Sequence, residues 1–395
     1  MFDPNRLVPA DVQRRLVALR EEIHRHPELA FEERETSQRL YEALGQLRPA
    51  ALERVADTGV VARFRGRDPS APVVAVRGDI DALPITEATG LPFASQRPGV
   101  MHACGHDVHA AWTVGVAHLL AREPAAGDVV VVLQPAEETG KGATAVLASG
   151  ALAGVAAIFG AHVDRRFPVG QVVAQPGALA ASADSFTITL RGTGAHAARP
   201  HEGADPVVGA GALIGALQTV VSRRVSPSVP AVLTVGSVHA GTAPNVIPDS
   251  ATLSGTLRAV DPDTRALLQR EVRRVAEGVA AAHGLTTVVA LDIGPPPLIN
   301  PPQAAGWARR AVEKVLGEVA IVPLGPLNLA AEDFACYLEQ MPGCFLRIGA
   351  REEGGVAIPA HSPKFYAAPE SIFVGAAVLA ETARIASAEL HGGTP

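Results

Sequence analysis

The sequence predicts an α/β domain interrupted by a smaller α+β domain, and three observations carry that expectation. Short β-branched runs ("VVARFRG", "PVVAVRGD", "DVVVVLQP" and "AAIFGAHV") alternate with helical stretches and end in polar loop residues, as buried strands of an α/β sheet do. From Ser185 the order changes to strand ("SFTITLRG"), helix (about Asp205 to Val221), strand ("AVLTVGSVHA"), strand ("ATLSGTLRAV"), helix (Asp261 to about His283) and strand ("LTTVVALDIG"). That β-α-β-β-α-β order is the split βαβ arrangement, a four-stranded sheet with two helices on one face. The proline-rich "GPPPLINPP" then reads as a linker, after which the α/β pattern resumes. The expected division is residues 1–183 and 295–395 for the larger domain and 184–294 for the inserted one. No internal repeat is visible.

The elements follow in order. Val12, Leu16, Leu19 and Ile23 recur at helical spacing, and "HRHPE" stops that helix because the residue before Pro27 is biased away from helix. A second helix starts near Thr36, with Leu40, Leu44 and Leu47 on one stripe. The strands that follow place "GDID", "PAEE" and "AHVD" at strand ends, where α/β sheets bind their ligands.

Composition narrows the function classes. A chain of 395 residues has room for two domains, and 48% hydrophobic against 19% charged residues describes a packed protein, not a disordered one. A formal charge of −6 without a Lys/Arg stripe leaves no electrostatic footprint for nucleic acid or an anionic membrane. The opening "MFDPNRLVPADVQRRL" lacks the basic and apolar regions of a secretory signal, and no uninterrupted apolar stretch reads as a membrane span. Three cysteines cannot all pair, so reduced thiols in the cytoplasm are expected. No Walker-type phosphate loop is present, and "GTGAH" does not open a nucleotide-binding unit.

The chemistry concentrates in a few stretches. In "MHACGHDVHA", Gly105 lets Cys104 and His106 face one point, and thiolate with imidazole suits zinc and related divalent metals. Taken alone the tripeptide is weak, since a buried Cys is more often packing than ligand. In "PAEETG", Glu137 and Glu138 are neighbours whose carboxylates need not point the same way, so one can bind a metal while the other reaches a metal-bound water. The bland reading is a pair of solvated glutamates. His162 follows an apolar run and alone would be a satisfied core histidine; Asp79 and Asp81 at a strand end suit carboxylates that orient ligand histidines. His361 lies in a remote loop. Independent bland readings explain poorly why most strand-end loops of one domain carry a metal-type ligand. A Cys104 nucleophile with His106 or His109 as base is the rival, and it leaves the glutamates, His162 and the aspartates without a task.

"RGDIDALPI", "MHACGHDVHAA", "LQPAEETGKGA", "GAHV", "GTGAHAARPHEGADP", "GTAPNVIPD", "AEDFACYLE" and "HSPKF" occur in this order. Together they resemble the aminoacylase/hippurate hydrolase branch of the dinuclear metallopeptidase superfamily, across nearly the whole chain. The resemblance implies a mixed-sheet metallopeptidase (phosphorylase/hydrolase-like) catalytic domain with an inserted ferredoxin-like domain for dimerisation and closure. It implies two divalent metal ions (Zn, Mn, Co or Ni) on Cys104, His106, Glu138, His162 and His361, with Glu137 as general base and Asp81 and His109 as supports. From the inserted domain, His196 would stabilise the oxyanion, Asn245 would hold substrate, and Arg258 would clamp a free carboxylate. Relatives that cleave peptides usually begin the site with His-x-Asp. Here Asp79 takes the first position, and the thiol of Cys104 replaces a bridging carboxylate.

The expected reaction is metal-dependent hydrolysis of N-acyl amino acids, small-molecule substrates, to a carboxylic acid and a free amino acid. The expected assembly is a homodimer or a dimer of dimers. The alternatives are a metallocarboxypeptidase or dipeptidase, a Cys104-dependent acyl hydrolase, and a silent metal-stabilised scaffold.

Overall fold

A computed structural model describes residues 6–392. Two compact units divide the chain: Met1–Gly177 with Asn300–Pro326 and Asp333–Pro395, and Ala178–Ile299 with Leu327–Glu332. A short stretch of the late chain, Leu327–Glu332, thus joins the inserted unit, which no sequence pattern announces.

The first unit is built on a seven-stranded mixed sheet. Its order is Ala51–Val55, Gly59–Phe64, Val129–Gln134, Val73–Asp79, Val155–Pro168, Gly343–Arg351 and Val172–Val173. The middle strands Val129–Gln134, Val73–Asp79, Val155–Pro168 and Gly343–Arg351 run parallel, and the outer strands join them antiparallel. Alternation along the strands feeds one core: Val74 and Val76, Val129 and Val131, Phe159 and Ala161 enter it together. Helices His106–Arg122 and Glu370–Gly392 are buried nearly all round, which explains why neither carries a clear amphipathic stripe. Gly78 sets the closest approach of helix to sheet, because a Cβ there would lie 2.3 Å from Thr113 Oγ1 and 2.7 Å from the His109 carbonyl. That approach brings the first turn of His106–Arg122 to the end of strand Val73–Asp79.

On the opposite sheet face, Arg77 is wholly buried and saturated with partners. Its guanidinium donates to Asp79 Oδ2 (2.6 Å), Gln134 Oε1 (2.8 Å) and Asp333 Oδ1 (2.8 Å). Asp333 also accepts from Gln134 Nε2 and from the Ala143 amide, and the Tyr337 hydroxyl donates to Gln134. Two strand ends and a late segment of the chain are thereby tied at one point.

The second unit has a four-stranded antiparallel sheet in the order Ala231–Ala240, Ser250–Ala259, Asp184–Arg191, Thr286–Asp292. Helices Pro206–Arg224 and Pro262–Ala282 complete the expected β-α-β-β-α-β order. Each starts with an aspartate and a proline: Asp205 accepts from the Val207 amide and Asp261 from the Thr264 amide, both at 2.8 Å. Leu213, Leu217, Val220, Leu268 and Val272 meet Ile188, Leu190, Leu253 and Leu257 in a separate core.

The sequence offers no uninterrupted apolar run of bilayer length; a looser criterion is a helix long and apolar enough on average to cross a membrane. Pro206–Arg224 and Glu370–Gly392 both meet that criterion by length and composition. Ala, Val, Leu and Ile are frequent enough in both to raise mean hydropathy without a long unbroken run. Glu370–Gly392 is a core helix of the first unit, and Pro206–Arg224 lays one face on the core of the second.

Replacing Arg77 by Met should cost about 3–5 kcal/mol of stability, because the buried carboxylates of Asp79 and Asp333 would lose the guanidinium that balances their charge. Urea unfolding of the variant checks this; a loss below 1 kcal/mol would show that neither aspartate depends on the guanidinium.

Candidate metal centre

The loop "MHACGHDVHA" enters helix His106–Arg122 through Gly105, whose φ of +92° only glycine adopts at little cost. A Cβ there would also meet Val163 Cγ2 at 2.5 Å. With that turn made, Cys104 and His106 face the end of strand Val73–Asp79 and His162, which lies midway along Val155–Pro168 and not at the strand end expected for "AHVD", because that strand runs on beside Gly343–Arg351.

Hydrogen bonds fix the histidines so that one ring nitrogen of each is left over. His106 Nδ1 donates to Asp81, at 3.0 Å to the carbonyl and 3.1 Å to Oδ1. Its Nε2 is buried and has no hydrogen-bond partner; Glu137 Oε2 and Glu138 Oε1 lie 4.0 Å away. His162 Nδ1 donates to the Val163 carbonyl (2.7 Å), leaving Nε2 facing Cys104 Sγ at 3.2 Å. Asp81 has a second task, since its Oδ2 accepts the Glu138 amide at 3.0 Å. Glu138 Oε1 is likewise buried without a hydrogen bond, 3.4 Å from His361 Nε2 but not aligned for one. The His361 amide donates to the Ala103 carbonyl (2.8 Å), which pins its loop to the Cys104 loop.

His109 differs. Its Nδ1 donates to Asp79 Oδ1 (2.5 Å), its Nε2 accepts from the Val163 amide (3.0 Å), and its ring stacks on Trp112. Both nitrogens are committed, so the grouping of Asp79, His106 and His109 supports the cluster and offers no lone pair from His109. His102, the remaining histidine of the stretch, is buried near His24 with neither nitrogen bonded. Burial pushes its pKa down to about 3.

Two ligand groups share one residue. Cys104, His106 and His162 form one, Cys104, Glu138 and His361 the other, and within each the ligand atoms lie within 4.8 Å of one another. A soft sulfur common to both, imidazoles held in the ligating tautomer and an orphaned carboxylate oxygen fit a pair of divalent cations. The electrostatics of the cluster hold His162 ready to ligate and keep Cys104 and His106 protonated, so an arriving cation would displace protons from both. Burial pushes the Cys104 thiol up to about 12, with Glu138 adding to it, so the thiol is not poised as a free nucleophile. Burial and the neighbouring His109, Arg347 and His106 hold His162 well below its usual value, in the neutral form that ligates. Burial is the largest influence on His106 and opposes its charge, but Asp79, the Asp81 hydrogen bond and Cys104 together outweigh it and raise the pKa.

Two non-glycine residues flanking the cluster sit in the left-handed region: Ala136 at φ 56° and His361 at φ 65°. Such strain persists only where surrounding structure enforces it. For Ala136 the enforcing bond is visible: its amide donates to Glu33 Oε1 at 2.9 Å. Burial pushes the Glu33 carboxyl up to about 7, against the lowering effect of the Thr58 hydroxyl.

The remaining expected site residues belong to the second unit. Strand pairing sets His196 opposite Val246, and the Ala197 amide donates to the Asn245 carbonyl, so His196 and Asn245 share one exposed ribbon. Arg258 lies on strand Ser250–Ala259 opposite Val232. Asp164, at the end of "GAHVD", is engaged by Arg166 at 2.7 Å. Arg77, Asp333 and Glu33 were not singled out by the sequence; the one signal for Asp333 was its place in "AEDFACYLE".

A mixed sheet whose parallel strands bring buried thiol, imidazole and carboxylate groups together in two metal-compatible sets fits a metal-dependent hydrolase of amide bonds. The sequence profile of Peptidase family M20/M25/M40 matches residues 75–385, and the chain belongs to that family. It is 42% identical over 344 residues to the N-acetyl-L-cysteine deacetylase of Bacillus subtilis, covering 86% of this chain and 81% of that one. It is 34% identical to thermostable carboxypeptidase 1 of Saccharolobus solfataricus, covering 91% and 92%. The crystal structure of a dinuclear metal binding peptidase of this family from Bacillus subtilis superposes with a TM-score of 0.84 at 36% identity, covering 95% and 98%.

Gly105→Ala should displace Cys104 and His106 together, and metal content after dialysis against trace metal should fall at least tenfold while the fold is kept. Wild-type metal content in the variant would mean the turn is not what aims the two ligands. Glu33 yields a pH prediction. Because its folded pKa lies above the ordinary 4.5, the native state holds an extra proton between about 4.5 and 7, and its stabilisation is lost as pH rises through about 7. Glu33→Gln should flatten the fall in Tm across that window.

Proposed function

We propose that the protein hydrolyses the amide bond of N-acyl amino acids through a two-metal centre on Cys104, His106, Glu138, His162 and His361. The observation that carries this reading is the convergence of two orphaned buried atoms, His106 Nε2 and Glu138 Oε1, beside the carboxylate of Glu137. Bound divalent cations would polarise the scissile carbonyl and acidify a water. Glu137, which is not in either Cys104 group, would accept a proton from the attacking water and return it to the departing amine. Asp81 holds His106 in its tautomer and the Glu138 amide in place. His109 buttresses Asp79. His196 donates to the developing oxyanion, while Asn245 and Arg258 hold the substrate.

Sulfur in the ligand set favours zinc or cobalt, with manganese and nickel as the other candidates. The assembly we infer is a homodimer or a dimer of dimers formed through the second unit. There the edge strand Ala231–Ala240 is largely exposed, as are Val207 and Val208 of helix Pro206–Arg224. Three free buried thiols suit the reducing cytoplasm. A second reading, removal of a C-terminal residue from short peptides, is favoured by the carboxypeptidase likeness. It uses the same residues on a peptide amide.

The test is release of free amino acid from N-acetyl, N-benzoyl and N-indoleacetyl amino acids and from dipeptides, by protein stripped of metal and reloaded with Zn, Mn, Co or Ni. Activity should return with metal, and Glu137→Ala should lower kcat by at least ~10²–10⁴-fold with metal content unchanged. Activity indifferent to metal and to Glu137 would overturn the mechanism. Preference for dipeptides over every acyl amino acid would favour the second reading.

A further inference from the structure

Arg347 lies on strand Gly343–Arg351 in register with His162 of the neighbouring parallel strand. Residues in register on adjacent strands project from the same sheet face, about 4.8 Å apart along the hydrogen-bonding direction. Arg347 is therefore beside a proposed metal ligand, close enough that its charge helps to hold His162 neutral. The side chain is half-buried, its Nε is buried without a partner, and its guanidinium lies 5.6 Å from the Phe345 ring centroid.

Its neighbours on this face have the acids they need, and Arg347 does not. Arg77 is forked between Asp79 and Asp333, and Arg166 is paired with Asp164. Arg165, which alternation along the strand sets on the other face, is paired as well, with Glu352 at 2.8 Å. Among the described residues the side chain of Arg347 makes no ion pair and no hydrogen bond. A partly desolvated guanidinium without an anion is costly, and a cation-binding cluster beside it deepens the cost. A carboxylate arriving between the guanidinium and the cluster would relieve both.

We propose that Arg347 is a substrate-anion subsite, a specificity residue that receives a carboxylate of the acyl amino acid alongside His162. The proposal rests on the reading of the metal centre given above. The carboxylate has three sources: the α-carboxylate, an acidic side chain, or an acid at the far end of the acyl group.

Kinetics of metal-loaded wild type, Arg347→Met and Arg347→Lys on four substrates separate them: N-acetyl-L-methionine, N-acetyl-L-methioninamide, N-acetyl-L-glutamate and N-succinyl-L-methionine. In Arg347→Met, KM should rise roughly 10–100-fold for the substrates whose carboxylate it holds, with kcat nearly unchanged, as expected for loss of a hydrogen bond to a charged group. Arg347→Lys should recover part of that loss. Loss on every acid but not on the methioninamide identifies the α-carboxylate. Loss confined to N-acetyl-L-glutamate identifies the side chain, and loss confined to N-succinyl-L-methionine the acyl end. Equal loss on acids and amide, or no loss at all, overturns the proposal. If the wild type turns over none of the four, the hydrolase reading falls, and calorimetric binding of N-acetyl-L-glutamate and N-succinyl-L-methionine decides on Arg347 separately. Binding that weakens at least tenfold in a folded Arg347→Met supports it. Unchanged binding, or none to the wild type, overturns it.

Discussion

The buried guanidinium of Arg77 is the constraint on which the catalytic end of the first unit depends. It reaches three parts of the chain at once: Asp79 at its own strand end, Gln134 at the next, and Asp333 far along the sequence. Asp79 in turn holds His109, and His109 receives the Val163 amide beside His162. A charge of this kind adds little net stability compared with a hydrophobic replacement designed around it, yet it tolerates the loss of no partner. It acts as a specification, fixing which segments meet and at what angle, and the ligand cluster inherits that geometry.

Around this point, single carboxylates do double duty. Asp81 sets the tautomer of His106 and the backbone of Glu138; Glu33 holds Ala136 in a strained conformation one residue before Glu137. The adjacent glutamates can diverge because the chain turns sharply there, with Ala136 and Gly140 both at positive φ around a single turn of 3-10 helix. Strain placed next to the proposed base and at His361 is what a site needs when side chains from remote segments must converge without a regular element to carry them.

Much of this was legible in the sequence, for a physical reason. Strand ends are readable because β-branched runs stop abruptly at polar residues, which marks Asp79, Asp81, Glu137 and Glu138; His162 reads the same way but falls mid-strand, because Val155–Pro168 continues past its apolar run. The inserted fold was legible in its order of elements. Arg77 was not, because an arginine one residue before the end of an apolar run reads as a strand-end charge, and only Asp333, brought by tertiary folding, explains its burial. His109 was read as a support through resemblance, but its two committed nitrogens are a fact of contact. The grouping of Leu327–Glu332 with the second unit leaves no trace in periodicity at all.

The insertion has a consequence for how the chain comes into being. Strand Val155–Pro168 occupies the middle of the large sheet, but its neighbour on one side, Gly343–Arg351, is made only after the whole second unit has been synthesised. Until then the strand bearing His162 keeps an open edge, and the segment bearing His361 is later still. The second unit has nearly its full set of contacts in one continuous stretch, so it is placed to fold first, on the ribosome, while the first waits for its last strand. The proposed metal centre is thus the final feature to assemble. Its ligands become complete only when the chain has committed to everything else.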